Sequence, residues 1–278
     1  MVLSIHTNAA AMAALQQLAK TNVEIETTQS RVSTGYKVSG ARDNSSVYAV
    51  AQNMRGDIAA LGSVKTSLDR ANSITDVALA AGEAISDLLV QMRSVAVAAT
   101  DPSIDGVARA AYNNDFREFV EQIQTIINEG EFDGANLING SLTNGISFLA
   151  DADASSALTV ASENMSLSGA IITLATTASL GTTTLASTQV SALNTSLDNV
   201  NAALSRLGAS ANRLDTHIGF IGRLQDSLTS GVGNLVDADL AKESARLQAL
   251  QVKQQLGVQA LSIANQNPQT ILSLFQGG

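Results

Sequence analysis

Apolar side chains recur at steps of three and four residues over many helical turns in two separate parts of this chain. One run covers residues 58–99 and stops before Asp101, and the other covers residues 190–228. Such spacing places the apolar side chains on one face of an α-helix. The sequence therefore predicts two very long amphipathic helices that pair in an antiparallel arrangement, with Gly231 and Gly233 interrupting the second one.

Two further helices are predicted from shorter patterns. The segment 2–34 has a helical pattern that ends near Gly35. Another helix should run from about Asp105 to Gly130, with Asp105 or Ser103 capping its first amide groups. A low aromatic content (3%) and only two prolines also favour helices over an aromatic-rich sheet.

The middle of the chain follows a different pattern. Between residues 132 and about 190 the helical period fails, and Ser, Thr, Gly and Ala dominate. Alternating apolar residues at Ile146 and Phe148, and again at Leu158 and Val160, indicate two short strands. The predicted fold is therefore mainly α: long antiparallel helices in a coiled coil or bundle, with a small β-hairpin region in the middle of the chain.

The last segment, from Asp237 to about Asn267, carries two apolar stripes rather than one. The first stripe comprises Leu240, Leu247, Leu250, Val258 and Leu261. The second stripe, on roughly the opposite side, comprises Ala245, Ala249, Val252, Leu256, Ala260 and Ile263. Because a surface helix of a monomer needs only one stripe, this helix should be sandwiched, either inside a large domain or between the N-terminal helix and neighbouring chains. We favour the second arrangement.

The N-terminal helix has a pattern suited to such pairing. Leu18, Ile25 and Val32 lie seven residues apart, and polar Asn22 and Gln29 occupy the interleaved positions. This heptad-like spacing is typical of a coiled coil with polar interruptions. The predicted coiled-coil or intersubunit interface comprises Leu15, Leu18, Ile25, Val32, Leu240, Leu247, Leu250, Val252, Leu256, Leu261 and Ile263.

Charge is unevenly distributed along the chain. The net charge is −9, and the span between Arg117 and Arg206 holds nine acidic residues and no lysine or arginine, so the remainder is neutral. Acidic chains are repelled by phosphate backbones and anionic membranes, so we predict no nucleic-acid or membrane partner. The acidic middle should form a hydrated outer surface, the alternative being a solvated loop region that lacks bases by chance.

The sequence offers little for catalysis or ligand binding. It has no cysteine, its only histidines are His6 and His217, and it lacks a G-x-S-x-G motif. No phosphate-binding glycine motif follows a plausible strand. The Asp pair at 237 and 239 could touch a cation, as could that at 151 and 153, but the former is better explained by a helix start. We predict no catalytic residues, no metal site and no cofactor.

Four stretches of the chain are distinctive in combination. They are SIHTNAAAMAALQQL (4–18), RVSTGYKVSGARDNSS (31–46), FDGANLING (132–140) and DADLAKESARLQALQVKQQLGVQALSIANQNPQTILSLF (237–275). With them, the sequence resembles bacterial flagellins over nearly its full length, in particular the short type of alphaproteobacteria such as Caulobacter. The resemblance implies a structural subunit, not an enzyme, that polymerises into the flagellar filament used for swimming.

The resemblance also implies a domain organisation. Residues 1–44 plus 235–278 would form an inner coiled-coil domain in the filament core. Residues 45–234 would form an outer helical domain, with a short variable segment containing β-structure at about 132–190. The terminal segments are expected to be largely disordered until assembly supplies a partner for their second stripe.

Partners and location are implied in the same way. The expected partners are many copies of the chain itself, hook-associated and cap proteins, an export chaperone and the type III export apparatus, with the protein secreted to the extracellular flagellum. No basic residue precedes Lys20, which agrees with export without a cleaved signal. Immunostimulatory relatives engage an innate immune receptor through an arginine-rich stretch, but Gln91 replaces a key arginine in residues 88–100, which argues against recognition.

Other classes of function stay open at this level. A hook–filament junction protein would have similar chain ends but would form only a short ring of copies. A surface binding module could use the exposed middle, with Tyr112, Phe132 and Phe148 available for stacking on sugars. An enzyme would need a pocket with convergent, perturbed acidic groups.

Overall fold

A computed structural model describes residues 8–276, with side chains described up to residue 266. His6 and the first residues of the predicted N-terminal helix lie outside the described part. The elements are α1 (Ala9–Thr34), α2 (Ser45–Ala99), α3 (Gly106–Glu129), β1 (Ile146–Leu149), β2 (Ala157–Val160), α4 (Thr183–Val236) and α5 (Leu240–Gln276). The fold is mainly α with one small hairpin, which confirms the predicted class.

The chain forms two compact units. The terminal unit consists of Met1–Gly56 and Ser227–Gly278, and the central unit consists of Asp57–Asp226. Helices α2 and α4 each contribute residues to both units. The N- and C-terminal parts of the chain therefore fold together rather than with the middle.

Local signals place the end of α1 and both ends of α3 where the sequence predicts them, whereas α1 begins at Ala9 after a cap at Asn8 that the sequence analysis did not predict. The Asn8 side chain accepts a hydrogen bond from Ala11 N, and α1 ends at Gly35, whose φ of 75° suits glycine. Asp105 rather than Ser103 caps α3, since its carboxylate accepts a hydrogen bond from Ala108 N at 2.7 Å.

In the central unit, α2 and α4 run antiparallel, as predicted. The Gln225 Nε2 donates to the Ile58 carbonyl oxygen at 3.2 Å, and further along the Asn72 Nδ2 donates to Asp215 Oδ1 at 3.1 Å. Later residues of α4 therefore meet earlier residues of α2. Fully buried core side chains come from α2 and α3, from the middle segment and from α4; they include Leu68, Ile85, Leu89, Met92, Phe116, Ile123, Ile127, Ile138, Met165, Leu193 and Leu214.

The middle segment forms the predicted antiparallel hairpin, in which Ile146 pairs with Val160 and Phe148 with Leu158. Gly145, with a φ of 71°, precedes it, and any Cβ there would collide with the Val160 carbonyl group. Phe148 and Val160 are buried, whereas the other residues of the two strands are exposed or half-buried. One face of the hairpin is therefore buried in the core of the central unit.

Helix α4 corrects two predictions. It begins at Thr183 rather than near Val190, and it continues through Gly231 and Gly233 to Val236. Each helical glycine costs about 1 kcal/mol relative to alanine, but burial of Val236 offsets this cost. A Cβ at position 233 would also lie only 2.8 Å from an Asp237 carboxylate oxygen, so the glycine makes room for the following turn.

A buried carboxylate ties the middle segment to α4. Glu163 is 7% exposed, and the Arg206 guanidinium donates to both its oxygens, at 2.7 and 2.6 Å. The hydrogen bond with Glu163 raises the pKa of Arg206 above its ordinary value. Such bidentate pairs combine charge with fixed geometry.

We expect Arg206→Ala to lower the free energy of unfolding of the central unit by about 2 kcal/mol, since it leaves a buried carboxylate without its counterion. Urea denaturation followed by circular dichroism measures this loss. The exposed Arg223→Ala on the same helix is the control and should change stability little. Equal losses in the two variants would contradict a specific role for the pair.

Candidate assembly surface

The terminal unit is built on an antiparallel pair of helices, α1 and α5. At one end of the pair the Asn8 Nδ2 donates to the Ala264 carbonyl oxygen at 2.7 Å. At the other end Arg31 Nη1 lies 3.2 Å from Glu243 Oε1. The beginning of α1 therefore meets the distal part of α5, and the end of α1 meets its beginning.

Between these ends the seam mixes polar and apolar contacts. Gln254 Nε2 donates to Asn22 Oδ1 at 2.7 Å. Leu18 packs over Gly257, where an added Cβ would lie 3.3 Å from Leu18 Cδ1. Near them Lys253 Nζ lies 4.0 Å from a Glu24 carboxylate oxygen, a contact that contributes little on a helix surface.

Over the part of α5 whose side chains the structure describes, which ends at residue 266, the seam buries little apolar surface. Leu250 and Ala264 are buried there on α5, and Thr21 and Thr28 are buried on α1. The remaining predicted seam residues are half-buried: Leu18, Ile25, Val32, Leu247 and Leu261. Two helices that bury so few apolar groups gain little from each other alone.

Backbone hydrogen bonds fix how the two helices enter the seam. The amides of Lys37 and Val38 donate to the Val236 carbonyl oxygen at 2.6 and 3.2 Å, and Ala238 N donates to the Gly35 carbonyl oxygen at 2.8 Å. This short antiparallel bridge joins the segment after α1 to the one before α5. The relative position of the two helices is therefore set close to Glu243 and Arg31.

The second apolar stripe of α5 is exposed. Val252, Leu256 and Ile263 have exposed fractions of 55%, 58% and 62%. Helix α1 has a similar stripe at steps of three, four and four residues, formed by Met12, Leu15, Ala19 and Val23, all of them exposed. Each helix thus presents apolar side chains away from the seam, in addition to those within it.

The predicted interface residues consequently separate into two groups. Leu18, Ile25, Val32, Leu247, Leu250 and Leu261 are buried or half-buried within the terminal unit, and Leu15, Leu240, Val252, Leu256 and Ile263 are exposed. Sequence reasoning missed Met12 and Val23, although their spacing relative to Leu15 carries the signal. It also missed the Asn22–Gln254 pair, because no pattern in one helix identifies its partner in the other.

Polar groups singled out in the sequence have structural partners. His217 Nε2 lies 2.8 Å from the Ala150 carbonyl oxygen, within the central unit. Hydrogen bonds from Ser155 hold the pKa of the Asp151 carboxyl below its ordinary value. Asp239 caps α5 by accepting from Lys242 N at 3.1 Å, which confirms the helix-start interpretation.

Between residues 8 and 276, no three His, Cys, Asp or Glu side chains are grouped so that they could hold a metal ion. Within the same described range, no helix is long and apolar enough to cross a membrane.

Long paired helices whose termini fold together and expose a second apolar stripe define a structural subunit for self-assembly. Comparison with known protein families identifies the family to which this subunit belongs. The chain matches the bacterial flagellin N-terminal helical region over residues 5–143 and the bacterial flagellin C-terminal helical region over residues 190–275. It belongs to the bacterial flagellin family, and its function is that of a structural subunit of the flagellar filament, used in motility.

Individual relatives support this assignment. The chain is 48% identical to flagellin FljK of Caulobacter vibrioides over 98% of both chains, and 36% identical to a flagellin of Brucella melitensis over 99% of both. The solved structure of a putative flagellar hook-associated protein from Vibrio parahaemolyticus covers 70% of this chain and is itself fully covered, with a TM-score of 0.58 at 13% identity. The structural likeness concerns the fold alone.

Proposed function

We propose that the chain polymerises through the exposed stripes of its terminal unit, with neighbouring copies covering them in the filament core. The observation that carries this proposal is the exposure of Val252, Leu256 and Ile263 on a helix whose Leu247, Leu250 and Leu261 already lie in the seam with α1. Water-exposed apolar stripes of this kind are unfavourable in an isolated chain and favour association. Contacts between different surfaces of successive copies generate an open helical polymer when the rotation between copies does not close into a ring.

In this proposal the terminal unit gains much of its order on assembly. Up to residue 266 the α1–α5 seam has few buried apolar side chains, so this part of the helix pair is only weakly stabilised on its own. Burial of the second stripe against other copies then offsets the conformational entropy of ordering both helices. Residues 1–44 and 235–278 would constitute the filament core, and residues 45–234 the outer domain.

The acidic central part suits an outward position. Of the nine acidic residues between Arg117 and Arg206, Glu163 is paired with Arg206, and the others are exposed or half-exposed. A hydrated surface with one sign of charge limits lateral aggregation of filaments. We therefore place this part of the chain on the extracellular surface of the flagellum.

Membership of the family supports further partners. We propose that hook-associated and cap proteins contact the ends of the polymer, and that an export chaperone and the type III export apparatus handle the chain before assembly. Gln91, exposed on α2, stands where immunostimulatory relatives carry a key arginine, so we propose weak recognition by the innate immune receptor. Relatives named flagellin at 36–48% identity favour a filament subunit over a junction protein.

Electron microscopy of the purified chain tests the proposal directly. Sulfate, which strengthens apolar burial, is added together with short filament seeds. We expect long tubes of uniform width. Chains that stay monomeric across salt and pH, while the central helices are folded, would contradict polymerisation through these stripes and return the junction protein and the binding module to consideration.

A further inference from the structure

The α1–α5 seam contains a pair of polar side chains at facing positions, Asn22 and Gln254. Asn22 and Gln254 are half-buried and joined by a hydrogen bond of 2.7 Å. Each amide keeps part of its surface in water, so the net contribution of their hydrogen bond to stability is modest. Their position therefore calls for an explanation other than stability.

We propose that the Asn22–Gln254 pair maintains, further along the seam, the register of α1 and α5 that the backbone bridge between Gly35 and Ala238 sets at one end. A polar residue at one core position of a coiled coil specifies register at a cost in stability, because every other register leaves it opposite an apolar side chain. Here a slip of one heptad would place Asn22 opposite Leu247 or Leu261 instead of Gln254. Either slip breaks the Asn22–Gln254 hydrogen bond; one slip places Gln254 opposite Leu15, and the other places it opposite Gln29.

A second contact reinforces the same register. Gly257 lies one helical turn beyond Gln254, and its missing side chain makes the space into which Leu18 packs. A side chain opposite Leu18 would require Leu18 to move, since an added Cβ at position 257 lies 3.3 Å from Leu18 Cδ1. A slip of one heptad would bring Leu250 or Ala264 to this position. The amide pair and the glycine thus favour the same alignment, on adjacent turns.

The register matters because it fixes the relative axial positions of the exposed stripes on α1 and α5. A slip of α5 along α1 would shift Val252, Leu256 and Ile263 with respect to Met12 and Leu15, so neighbouring copies would meet a different surface. This consequence rests on the proposed function, whereas the register itself concerns a single chain. The two can therefore fail independently.

Disulfide formation measures the register, since the chain has no cysteine of its own. In L18C/G257C the two Cβ positions lie 4.0 Å apart, within the range for a disulfide. L18C/L250C and L18C/A264C report slips of one heptad in either direction. Each reporter pair is oxidised in soluble chain and in seeded filaments, and intrachain products are identified by peptide mass spectrometry after mixing with isotope-labelled chain.

With Asn22 and Gln254 present, we expect the native-register disulfide to exceed the slipped products about tenfold, because slipping breaks the hydrogen bond between the two amides. In the N22L/Q254L variant the slipped products should rise severalfold. The control Q16L/Q251L adds the same apolar groups at exposed positions and should leave the ratio unchanged. The swapped variant N22Q/Q254N retains two amides and should keep the native product.

Each result decides between the alternatives. Unchanged ratios in N22L/Q254L, or slipped products in the swapped variant equal to those of the leucine variant, would overturn the role of the pair. Because the ratio is also read on soluble chain, it does not depend on polymerisation. Absence of filaments from the parent chain would instead count against the proposed function and leave the register result standing.

Discussion

Removal of residues 237–278 is expected to abolish filaments completely while the central unit stays folded. The deletion removes all of α5, and with it both the seam partner of α1 and the exposed stripe that contains Leu256. The central unit, Asp57–Asp226, has its own core of fully buried side chains and loses none of them. Seeded electron microscopy and thermal denaturation followed by circular dichroism measure the two effects separately.

The two measurements also distinguish assembly from misfolding. Loss of filaments with an unchanged cooperative thermal transition of the central unit is the expected result. Filaments of normal width from the truncated chain would contradict the proposed role of α5. A missing thermal transition would show that the central unit depends on α5, contrary to the division of the chain into two units. The full-length chain, purified in parallel, is the control.

The sequence predicted those parts of the fold in which one helix or one turn contains the whole signal. The spacing of apolar residues in α2 identifies the helix by itself, and Asp105 and Gly130 mark the ends of α3 through local hydrogen bonds. The hairpin was likewise predictable from alternation, because Phe148 and Val160 are buried while neighbouring residues are not. These signals act over a few residues and need no knowledge of the partner.

Features set by tertiary packing were not predictable in this way. Gly231 and Gly233 suggested a break in α4, but burial of Val236 and the close approach of Asp237 keep the helix continuous. The sequence groups Glu163 with the other acidic residues of a hydrated segment. In the structure it pairs with Arg206 of α4. In both cases a contact distant in sequence, or a buried face, outweighs the local preference.

The candidate assembly surface was predicted in outline only. Two stripes on the last helix were evident from angular spacing, but the sequence does not say which stripe faces α1. The structure assigns Leu250 to the seam and leaves Leu256 exposed. That assignment allows variants that affect one stripe and spare the other.

The second large effect is therefore expected from Leu256→Glu. Leu256 is 58% exposed in the single chain, so the substitution should leave the subunit as stable as before. In the proposed filament the same position is covered by a neighbouring copy, and a buried, unpaired carboxylate is strongly unfavourable there. We expect no filaments from Leu256→Glu, measured by electron microscopy after seeding.

A graded series of substitutions at Leu256 measures how much its side chain contributes to polymerisation. Burial of a leucine side chain contributes about 1.5–3 kcal/mol, and each 1.4 kcal/mol is a factor of about ten in an equilibrium constant. Leu256→Ala should therefore raise the critical concentration for polymerisation between about tenfold and a hundredfold, as measured by sedimentation. Gln251→Glu adds the same charge as Leu256→Glu, but on an exposed part of α5 that belongs to neither stripe. It should change the critical concentration little. If Leu256→Ala and Gln251→Glu had equal effects, the exposed stripe of α5 would not be the surface that neighbouring copies cover.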